Sequence, residues 1–498
     1  MIRHSGRRND KKNPETHRPV KAQFRKLAGE VRQSLRSGQL KAGDLLPSTR
    51  QLAAQWGVHR HTVMAAYEEL VAEGWLESHP GQGYRVATDW VEAQPMAPRQ
   101  QQFGWDFDQD LPATSEQPRP PARYRFPSGQ PDLRIFPHEE YYTQVRQALR
   151  RCAADDLLGY SDPAGRPYFC EQLGHYLRRA RGLKFSAEEL VVTHGCQEAI
   201  YLVARCWLSP GAVVAVEEQG FAKTWEAFRC CGAELAPVRI DDQGIIPESL
   251  EQVFKTRKAR LLYLTPLHQY PTTVTLTPTR RQQVLQLAQQ YQVPILEDDY
   301  DFEFHYQGTT QPPLKVQDSH GLVAYCSTFS KVLHPSARLG FVIAPAPLAQ
   351  RVARLKTVVS LQNDNLAQEA LAGWMAEGGF ERHLRRMRRT YEIRRRAMGQ
   401  ALMAWDPQPP VRLPHGGMCL WLDTGVDSQK LSDLVRPAGV EVRPGAAYRL
   451  DGQPSRYLRL GFAHPTVPEI QEGLALLGKA RNQLLKEQSA QRVTSPIQ

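Results

Sequence analysis

The sequence has no hydrophobic segment long enough to cross a membrane and no paired-cysteine motif. Its apolar runs stay well short of the ~18 residues that a transmembrane helix needs, and its first residues lack the pattern of a signal peptide. Cysteines are scattered along the chain, and none forms the Cys-x-x-Cys pair that often binds zinc. We therefore expect a cytoplasmic protein with free thiols, no metal site and no membrane association.

Positive charge is concentrated near the N-terminus. The whole chain carries a formal net charge of +11, and residues 1–90 hold fifteen Lys and Arg against nine Asp and Glu. Local positive charge favours polyanions, because binding releases their counterions. A basic face that is merely solvated explains the same surplus, so the charge alone leaves nucleic-acid binding open.

Composition divides the 498 residues into five segments. Residues 1–20 are basic without hydrophobic periodicity, which predicts a flexible tail. Residues 21–87 have the apolar spacing of short helices, and residues 88–125 are rich in Pro and Gln, which predicts a linker. Residues 126–484 alternate β-branched runs with amphipathic stretches, and the polar residues 485–498 predict a second flexible tail.

The second of these segments contains two helices joined by a tight turn. Ser48 precedes Gln51 by three residues, which predicts a capped helix that ends at Gly57. A second helix is expected to begin near His59, and "WLESHPGQGYRVA" predicts a strand pair that turns at Gly81–Gly83. A helix-turn-helix with such a wing reads double-stranded DNA, although a plain helical bundle has the same periodicity.

This stretch closely resembles the winged helix-turn-helix of GntR-family transcriptional regulators. The similarity lies in "LKAGDLLPSTRQLAAQWGV", "TVMAAYEELVAEGWLES" and "GQGYRVA". It implies that operator DNA contacts the first helix and the start of the second. The residues implied are Arg50, His59, Arg60, His61 and Thr62. The family usually has a serine and an asparagine where His59 and His61 stand.

The large segment alternates strands and helices. Apolar runs such as "EELVVTHG", "AVVAVEE", "ARLLYLTP", "VPILEDDY" and "GLVAYCSTFS" are separated by amphipathic helical stretches. This alternation is typical of a parallel sheet that is buried on both faces. We therefore predict an α/β domain with a mainly parallel sheet.

Four residues of this domain have the chemistry that pyridoxal 5'-phosphate (PLP) needs. The cofactor requires a lysine for its aldehyde, a carboxylate for its pyridine nitrogen and donors for its phosphate. Lys331 in "STFSK" and Asp298 in "VPILEDD" are candidates for the first two, and Gly195 and Arg338 for the phosphate. Each has an ordinary alternative: a solvated lysine, a helix cap, a simple turn and a surface ion pair, respectively.

The order and spacing of these residues resemble those of fold-type-I aminotransferases over most of the large segment. The whole chain is similar to the MocR branch of the GntR family, in which a winged helix-turn-helix precedes an aminotransferase-like, PLP-dependent domain. The similarity lies in "YSDPAGRP", "THGCQEAI", "LTPLHQYPTTVT", "LEDDYDFEF", "STFSKVLHPSARLGFVIAP" and "YLRLGFAHP". The resemblance implies an α/β domain of fold type I after the DNA-binding domain.

The resemblance also implies a role for each site residue. Lys331 would form a Schiff base with PLP, the internal aldimine, and Asp298 would pair with the pyridinium beneath a stacked Phe221. Tyr300 would touch the cofactor's phenolic oxygen, and Arg459 would bind a substrate or effector carboxylate. The phosphate would be bound by Cys196, Gln197, Thr328, Ser330 and Arg338.

Two turns depart from the aminotransferase pattern. Tyr270 stands where these enzymes have an asparagine before the proline, and Thr273 replaces a glycine. The stretch "EEQGFAK" also lacks the usual turn before the stacking residue. We expect the protein to bind the cofactor despite these changes. Efficient transamination is less expected than cofactor binding.

Three functions remain compatible with these residues. The leading hypothesis is a DNA-binding transcriptional regulator that senses PLP or a small amino compound through Lys331. An aminotransferase that carries a DNA-binding module is the second, and a cofactor-free dimerisation domain is the third. Tyr160 matches a tyrosine that reaches the phosphate of a partner subunit, so the resemblance implies a head-to-tail homodimer.

Overall fold

The structure is a computed structural model in which residues 18–88, 122–405 and 411–494 are described. Most of the predicted tail 1–20 and of the predicted linker 88–125 lies outside the described residues. Within the described ranges, no helix combines the length and the apolar character needed to cross a membrane.

The chain divides into two compact units, of which the first spans Met1–Gln109. Its elements are α1 (Arg18–Arg36), α2 (Thr49–Trp56), α3 (Arg60–Ala72), β1 (Leu76–His79) and β2 (Gly83–Val86). The two strands are antiparallel, with His79 opposite Gly83, which confirms the predicted wing. Apolar residues of all three helices and both strands form one buried core.

Local sequence sets the helix boundaries of this unit. Ser48 Oγ accepts the backbone N–H of Gln51 at 3.3 Å, and Gln51 Oε1 accepts the backbone N–H of Ser48 at 3.0 Å. Gly57 ends α2 with φ of 64°, a left-handed conformation that glycine adopts without strain. His59 then caps α3, because its Nδ1 accepts the N–H of His61 at 3.4 Å. The predicted helix-turn-helix is confirmed.

The second unit, Asp110–Gln498, is an α/β structure. Its helices are α4 (His138–Arg151), α5 (Ala154–Leu158), α6 (Pro167–Arg181), α7 (Cys196–Trp207), α8 (Ala222–Cys230), α9 (Pro247–Arg257), α10 (Pro278–Tyr291), α11 (Leu314–Gln317), α12 (Ala346–Val359), α13 (Asn365–Ala376), α14 (Gly379–Met403), α15 (Ser428–Val435) and α16 (Val467–Thr494). Its strands are β3 (Tyr124–Arg125), β4 (Leu190–Thr193), β5 (Val213–Glu217), β6 (Glu234–Val238), β7 (Ile240–Asp241), β8 (Gly244–Ile245), β9 (Leu261–Leu264), β10 (Ile295–Asp298), β11 (Val323–Thr328), β12 (Gly340–Ile343), β13 (Cys419–Asp423), β14 (Val440–Glu441), β15 (Arg443–Pro444) and β16 (Tyr457–Gly461).

Seven strands form the main sheet, in the order β4-β12-β11-β10-β9-β5-β6. Only β12 runs against its neighbours, so the predicted mainly parallel sheet is confirmed. Strands β9, β10 and β11 are buried along their whole length, as expected for a sheet covered on both faces. Because parallel strands end at the same edge, the loops after β4, β9, β10 and β11 lie close together.

A smaller antiparallel sheet follows, in the order β13-β16-β15. It carries Arg459 on β16, opposite Trp421 of β13. The helix α16 continues to Thr494, past the boundary predicted at 484. The sequence does not indicate this extension, because residues 486–489 are polar and exposed and show no apolar periodicity.

Candidate functional site

The predicted DNA-contacting residues lie in α2 and at the start of α3. Arg50, His59, Arg60 and His61 have exposed side chains, and the rings of His59 and His61 stack with centroids 5.2 Å apart. Thr62 differs from them, because its side chain is 5% exposed and presents little surface to a duplex. The structure therefore leaves four of the five predicted side chains available to DNA.

A cavity of about 1060 Å³ lies where the parallel strands of the main sheet end. Nine of the predicted site residues line it: Cys196, Gln197, Phe221, Asp298, Tyr300, Thr328, Ser330, Lys331 and Arg338. Arg459 lies next to this lining, within hydrogen-bond distance of the Tyr300 hydroxyl. Tyr160 is not part of the lining, and its side chain is 87% exposed.

Lys331 ends a short 3-10 turn that follows β11. The turn is fixed by Thr328, whose Oγ1 accepts the backbone N–H of Ser330 at 3.1 Å. Lys331 Nζ donates to the carbonyl of Gly129 at 3.0 Å. Burial lowers the pKa of the Lys331 amine, although the nearby Asp301 opposes this effect. A lowered pKa increases the fraction of neutral amine, which is the form that attacks an aldehyde.

Asp298 closes β10 and is buried. Its Oδ2 accepts the hydroxyl of Tyr263 at 2.8 Å, and its Oδ1 lies 3.0 Å from Cys196 Sγ. Burial raises the pKa of Asp298 to about 6. Both of these partners are neutral, so the carboxylate retains the capacity to pair with a cationic ligand group.

Several hydrogen-bond donors that suit a phosphate lie around the start of α7. Gly195 precedes this helix with φ of 82°, and a Cβ at Gly195 would lie 3.3 Å from two guanidinium nitrogens of Arg338. Thr328 Oγ1 and Ser330 Oγ are 3.0 Å apart on the facing turn. Free N–H groups at a helix start, two hydroxyls and an arginine form the donor set expected for an anion.

Arg459 is a buried cation, 1% exposed. Its guanidinium donates to the Pro271 carbonyl at 3.2 Å, to Ser128 Oγ at 3.0 Å and to the Tyr300 hydroxyl at 3.3 Å. The guanidinium carbon lies 4.0 Å from the centre of the Tyr270 ring. Across the described ranges of the chain, no carboxylate forms an ion pair with Arg459. A buried arginine with only neutral partners is ready for an anionic ligand.

Tyr270 and Thr273, which depart from the aminotransferase pattern, lie in the turn after β9. Thr273 adopts φ of 64°, the left-handed conformation that the usual glycine would favour. The Tyr270 ring packs edge-on against Phe221, with centroids 5.3 Å apart, and against Tyr300, with centroids 5.9 Å apart. Phe221 is 39% exposed at the cavity, so one part of its ring surface is open to a ligand.

Sequence reasoning missed several residues of this site. Tyr263 on β9 contacts Asp298, and Ser128 and Gly129 contact Arg459 and Lys331. Tyr263 could have been suspected from the sequence, because it is the penultimate residue of the apolar strand "LLYL" and so lies near the end of a buried strand. Nothing in the sequence pointed to Ser128 and Gly129, because they precede the first strand of the main sheet by many residues.

Two protein-family models match the chain. Residues 24–86 match the bacterial regulatory proteins of the gntR family, and residues 135–477 match aminotransferase class I and II. The second match covers more than half of the chain. Each match falls within one of the two units described above.

Two transcriptional regulators are similar to this chain over most of its length. The chain is 34% identical over 384 residues to the probable rhizopine catabolism regulatory protein MocR of Rhizobium meliloti, and the match covers 75% of each protein. It is 31% identical over 474 residues to the HTH-type transcriptional regulator TauR of Rhodobacter capsulatus, which covers 91% of this chain and 96% of TauR. The chain belongs to the MocR-type branch of the GntR family.

The large unit of this MocR-type regulator is also similar to solved aminotransferase structures. One is LysN, the alpha-aminoadipate aminotransferase of Thermus thermophilus, with a TM-score of 0.68 and 28% identity over 73% of this chain and 93% of LysN. The MocR-type chain is thus a DNA-binding GntR regulator fused to an aminotransferase-like domain. That fold family is PLP-dependent.

Proposed function

We propose that this MocR-type chain binds PLP and regulates transcription, and that its DNA affinity responds to the cofactor or to a small amino compound. The observation that carries the proposal is one set of charged side chains, Lys331, Asp298 and Arg459, held at one cavity by neutral partners. Burying charges without opposite charges is unfavourable. Their arrangement is explained if a ligand supplies an aldehyde, a pyridine nitrogen and a carboxylate.

The donor set fits PLP group by group. Lys331 would bind the aldehyde, Asp298 the pyridine nitrogen, and Phe221 would cover the ring. The phosphate would be bound by the side chains of Thr328, Ser330 and Arg338 and by the backbone N–H groups of Cys196 and Gln197. When bound, PLP supplies an aldehyde that forms a reversible covalent bond with primary amines.

A relative supports this assignment. The LysN structure is described as a complex with N-(5'-phosphopyridoxyl)-L-leucine, in which an amino acid is joined to the phosphopyridoxyl group. For this chain, Arg459 is proposed to bind the carboxylate of such an amino compound. Tyr300, which accepts from Arg459 at 3.3 Å and donates to the His268 carbonyl at 3.0 Å, would orient that guanidinium.

The first unit is proposed to bind the operator DNA. Arg50, His59, Arg60 and His61 are exposed at the two helices of the helix-turn-helix and are proposed to contact the operator. Binding is expected to weaken as salt increases, because phosphate contacts release counterions.

A homodimer is proposed for the large unit. Tyr160 is exposed and lies outside the lining of its own cavity, so it is free to reach the cavity of a second copy. This shared site would make cofactor binding depend on assembly, and a two-fold arrangement would place two DNA-binding units in one particle.

An aminotransferase is the second candidate function. It is favoured by the half-buried Lys331 and the buried Arg459, which have the side chains that such a reaction would use. The altered turn at Tyr270 and Thr273 weakens it, because positioning of the substrate determines the rate of such a step. Steady release of several product molecules per protein would support this candidate.

Absorption spectroscopy tests the proposed cofactor site. The full-length protein mixed with PLP is expected to gain visible absorbance, and borohydride is expected to fix the cofactor on Lys331, where peptide mass spectrometry will find it. Lys331→Ala should gain neither the absorbance nor the modification. Fixation on other lysines of the wild-type protein, with Lys331 unmodified, would refute the assignment.

A further inference from the structure

Two cysteine thiols meet at the wall of the cavity. Cys196 Sγ lies 3.2 Å from Cys326 Sγ and 3.0 Å from Asp298 Oδ1. Cys196 begins α7 and lines the cavity, whereas Cys326 lies in β11 and is fully buried. The two cysteines are 130 positions apart in the sequence, so their contact arises only from the fold.

We propose that Cys196 and Cys326 form a reversible disulfide when no cofactor is bound, and that this disulfide weakens PLP binding. The inference rests on the proposed function, because it concerns the regulation of the same cavity. It adds an oxidant as a second signal to which the regulator responds.

The distance between the sulfurs favours a disulfide over a bound metal ion. The two sulfurs and Asp298 have their ligand atoms within 4.8 Å of one another, so a zinc ion is the main competing occupant. With zinc–sulfur bonds of about 2.3 Å, two thiolates of a tetrahedral site lie about 3.8 Å apart. The observed separation of 3.2 Å is shorter than that. Direct contact without an intervening ion therefore fits the geometry better.

A disulfide would change the cavity in two ways. The sulfurs would approach from 3.2 Å to a bond length of about 2.05 Å, which draws the first turn of α7 toward β11. That turn carries the N–H groups of Cys196 and Gln197 that are proposed to bind the phosphate. Asp298 would also lose the Cys196 thiol proton as a hydrogen-bond donor.

The oxidant proposed is a hydroperoxide. Cys196 sulfur attacks one peroxide oxygen, the O–O bond breaks, and Cys196 becomes a sulfenic acid while an alcohol or water leaves. Cys326 sulfur then attacks the Cys196 sulfur, the S–O bond breaks, and water leaves with the Cys326 proton. In sum, two thiols and one hydroperoxide give one disulfide, one alcohol and one water.

Access and ionisation set the rate of this oxidation. Only Cys196 faces the cavity, so a bound cofactor would cover the thiol that reacts first. Burial raises the pKa of Cys326 to about 11 and the pKa of Cys196 well above its ordinary value. Thiolates are the reactive form, so oxidation is expected to be slow and to occur mainly in the cofactor-free protein.

Peptide mapping with PLP titration tests the inference on the full-length protein. Cofactor-free protein treated with hydrogen peroxide should yield a Cys196–Cys326 cross-linked peptide under non-reducing conditions, and PLP-loaded protein should yield much less. The oxidised protein should bind PLP at least about tenfold more weakly, because charge-assisted phosphate contacts are displaced. Dithiothreitol should restore both the free thiols and the affinity.

Two variants serve as controls. Cys326→Ala should yield no cross-linked peptide after peroxide treatment and should carry Cys196 as a sulfenic acid instead, because Cys196 then has no resolving partner. Cys231→Ala removes another buried thiol, which lies in an apolar cluster, and should respond to peroxide as the wild-type protein does. The reversal by dithiothreitol needs no variant, so it remains informative even if Cys326→Ala folds poorly.

The outcomes separate the inference from the proposed function. Absence of the cross-link in peroxide-treated, cofactor-free protein would overturn the inference, and so would a cross-link without a change in PLP affinity. Zinc bound at one equivalent and lost in Cys326→Ala would replace the disulfide with a metal site. Failure of the reduced wild-type protein to bind PLP would instead overturn the proposed function.

Discussion

At the scale of single residues, none of the three charged groups at the cavity forms a direct ion pair with a described residue. Lys331 donates to a backbone carbonyl, Asp298 accepts from a phenol, and Arg459 donates to hydroxyls and a carbonyl. Such groups are destabilising without a partner, so they are expected to reduce the stability of the cofactor-free protein and to favour ligand binding. Substituting one of them should therefore affect stability and affinity in opposite directions.

Asp298→Asn tests this opposition. The pKa of Asp298 is raised from 3.8 to about 6, so the folded protein binds this proton more tightly than the unfolded chain does. The contribution of Asp298 to stability therefore falls as pH rises from about 4 to about 6 and stays low above that. We expect Asp298→Asn to stabilise the cofactor-free protein near pH 8 by on the order of 2 kcal/mol, with little gain near pH 4, while PLP affinity falls.

Thermal unfolding of both proteins at the two pH values, with a PLP titration, measures this effect. An equal change in stability at both pH values would contradict the assigned role of the Asp298 charge.

The sequence located some of these residues and not others, for a physical reason. Lys331 follows a recognisable strand and Asp298 ends one, and the strand ends of a parallel sheet are where ligands bind. The partners Tyr263 and Cys326 were not identified, because their contacts depend on which strands are neighbours. The order β11-β10-β9 is a property of the assembled sheet, which periodicity along one chain does not specify.

At the scale of elements, the start of α7 is the part of the fold that binds the proposed phosphate. The strand β4 ends beside it, and a Cβ at Gly340 would lie 2.6 Å from Gly195 Cα, so the backbones approach closely there. The fold class and the strand–helix alternation could be predicted because they depend on local pattern. The extent of α16 could not, because residues 486–490 are exposed and leave no apolar periodicity along the chain.

Gly195→Ala should selectively reduce PLP affinity. The φ of 82° is unfavourable for alanine, and the added Cβ would crowd the Arg338 guanidinium. We expect affinity to fall at least about tenfold as that arginine and the helix start are displaced. Gly182→Ala is the matched control, because Gly182 has φ of 68° after α6 and nothing within 4 Å of an added Cβ.

Gly182→Ala is expected to lose roughly 1 kcal/mol of stability from its left-handed backbone, measured by urea unfolding. Gly195→Ala is expected to lose more, because φ of 82° with ψ of 178° is a conformation that almost only glycine adopts. If Gly182→Ala weakened PLP binding as much as Gly195→Ala, the phosphate site would not be at α7.

At the scale of the whole molecule, a DNA-binding unit and an aminotransferase-like unit lie on one chain. The first unit has its own core and its own helix caps, so we expect it to fold and to bind DNA whether or not the cavity is occupied. Regulation requires that the two states of the cavity favour different states of the proposed dimer. This coupling is what distinguishes a sensor from an enzyme with an accessory domain.

Arg50→Ala tests the DNA-binding unit. We expect weaker binding to the upstream operator. If Arg50 contacts one phosphate, the slope of log affinity against log salt concentration should also decrease in magnitude by about one. Lys486→Ala removes the same charge from an exposed position in α16 and should leave binding unchanged. Fluorescence anisotropy across a salt series measures both, and equal effects of the two variants would contradict a specific contact.

Tyr160→Phe tests the shared site. Loss of one hydroxyl donor to a phosphate should weaken PLP binding about tenfold, while the molar mass of the dimer in sedimentation stays the same. Tyr142→Phe changes another exposed tyrosine, 52% exposed, and should have no effect. A monomer that binds PLP with full affinity would argue against the head-to-tail dimer.

The most direct test of the central claim is the operator affinity of wild-type protein and Lys331→Ala, each with and without PLP and a candidate amino acid. A regulator that senses through Lys331 should change its DNA affinity about five- to 150-fold in the wild-type protein, the range of typical allosteric coupling. Lys331→Ala should still bind the operator but should not respond. The account would be contradicted if the operator affinity of the wild-type protein did not change with either compound and the protein also catalysed steady, multiple-turnover transamination.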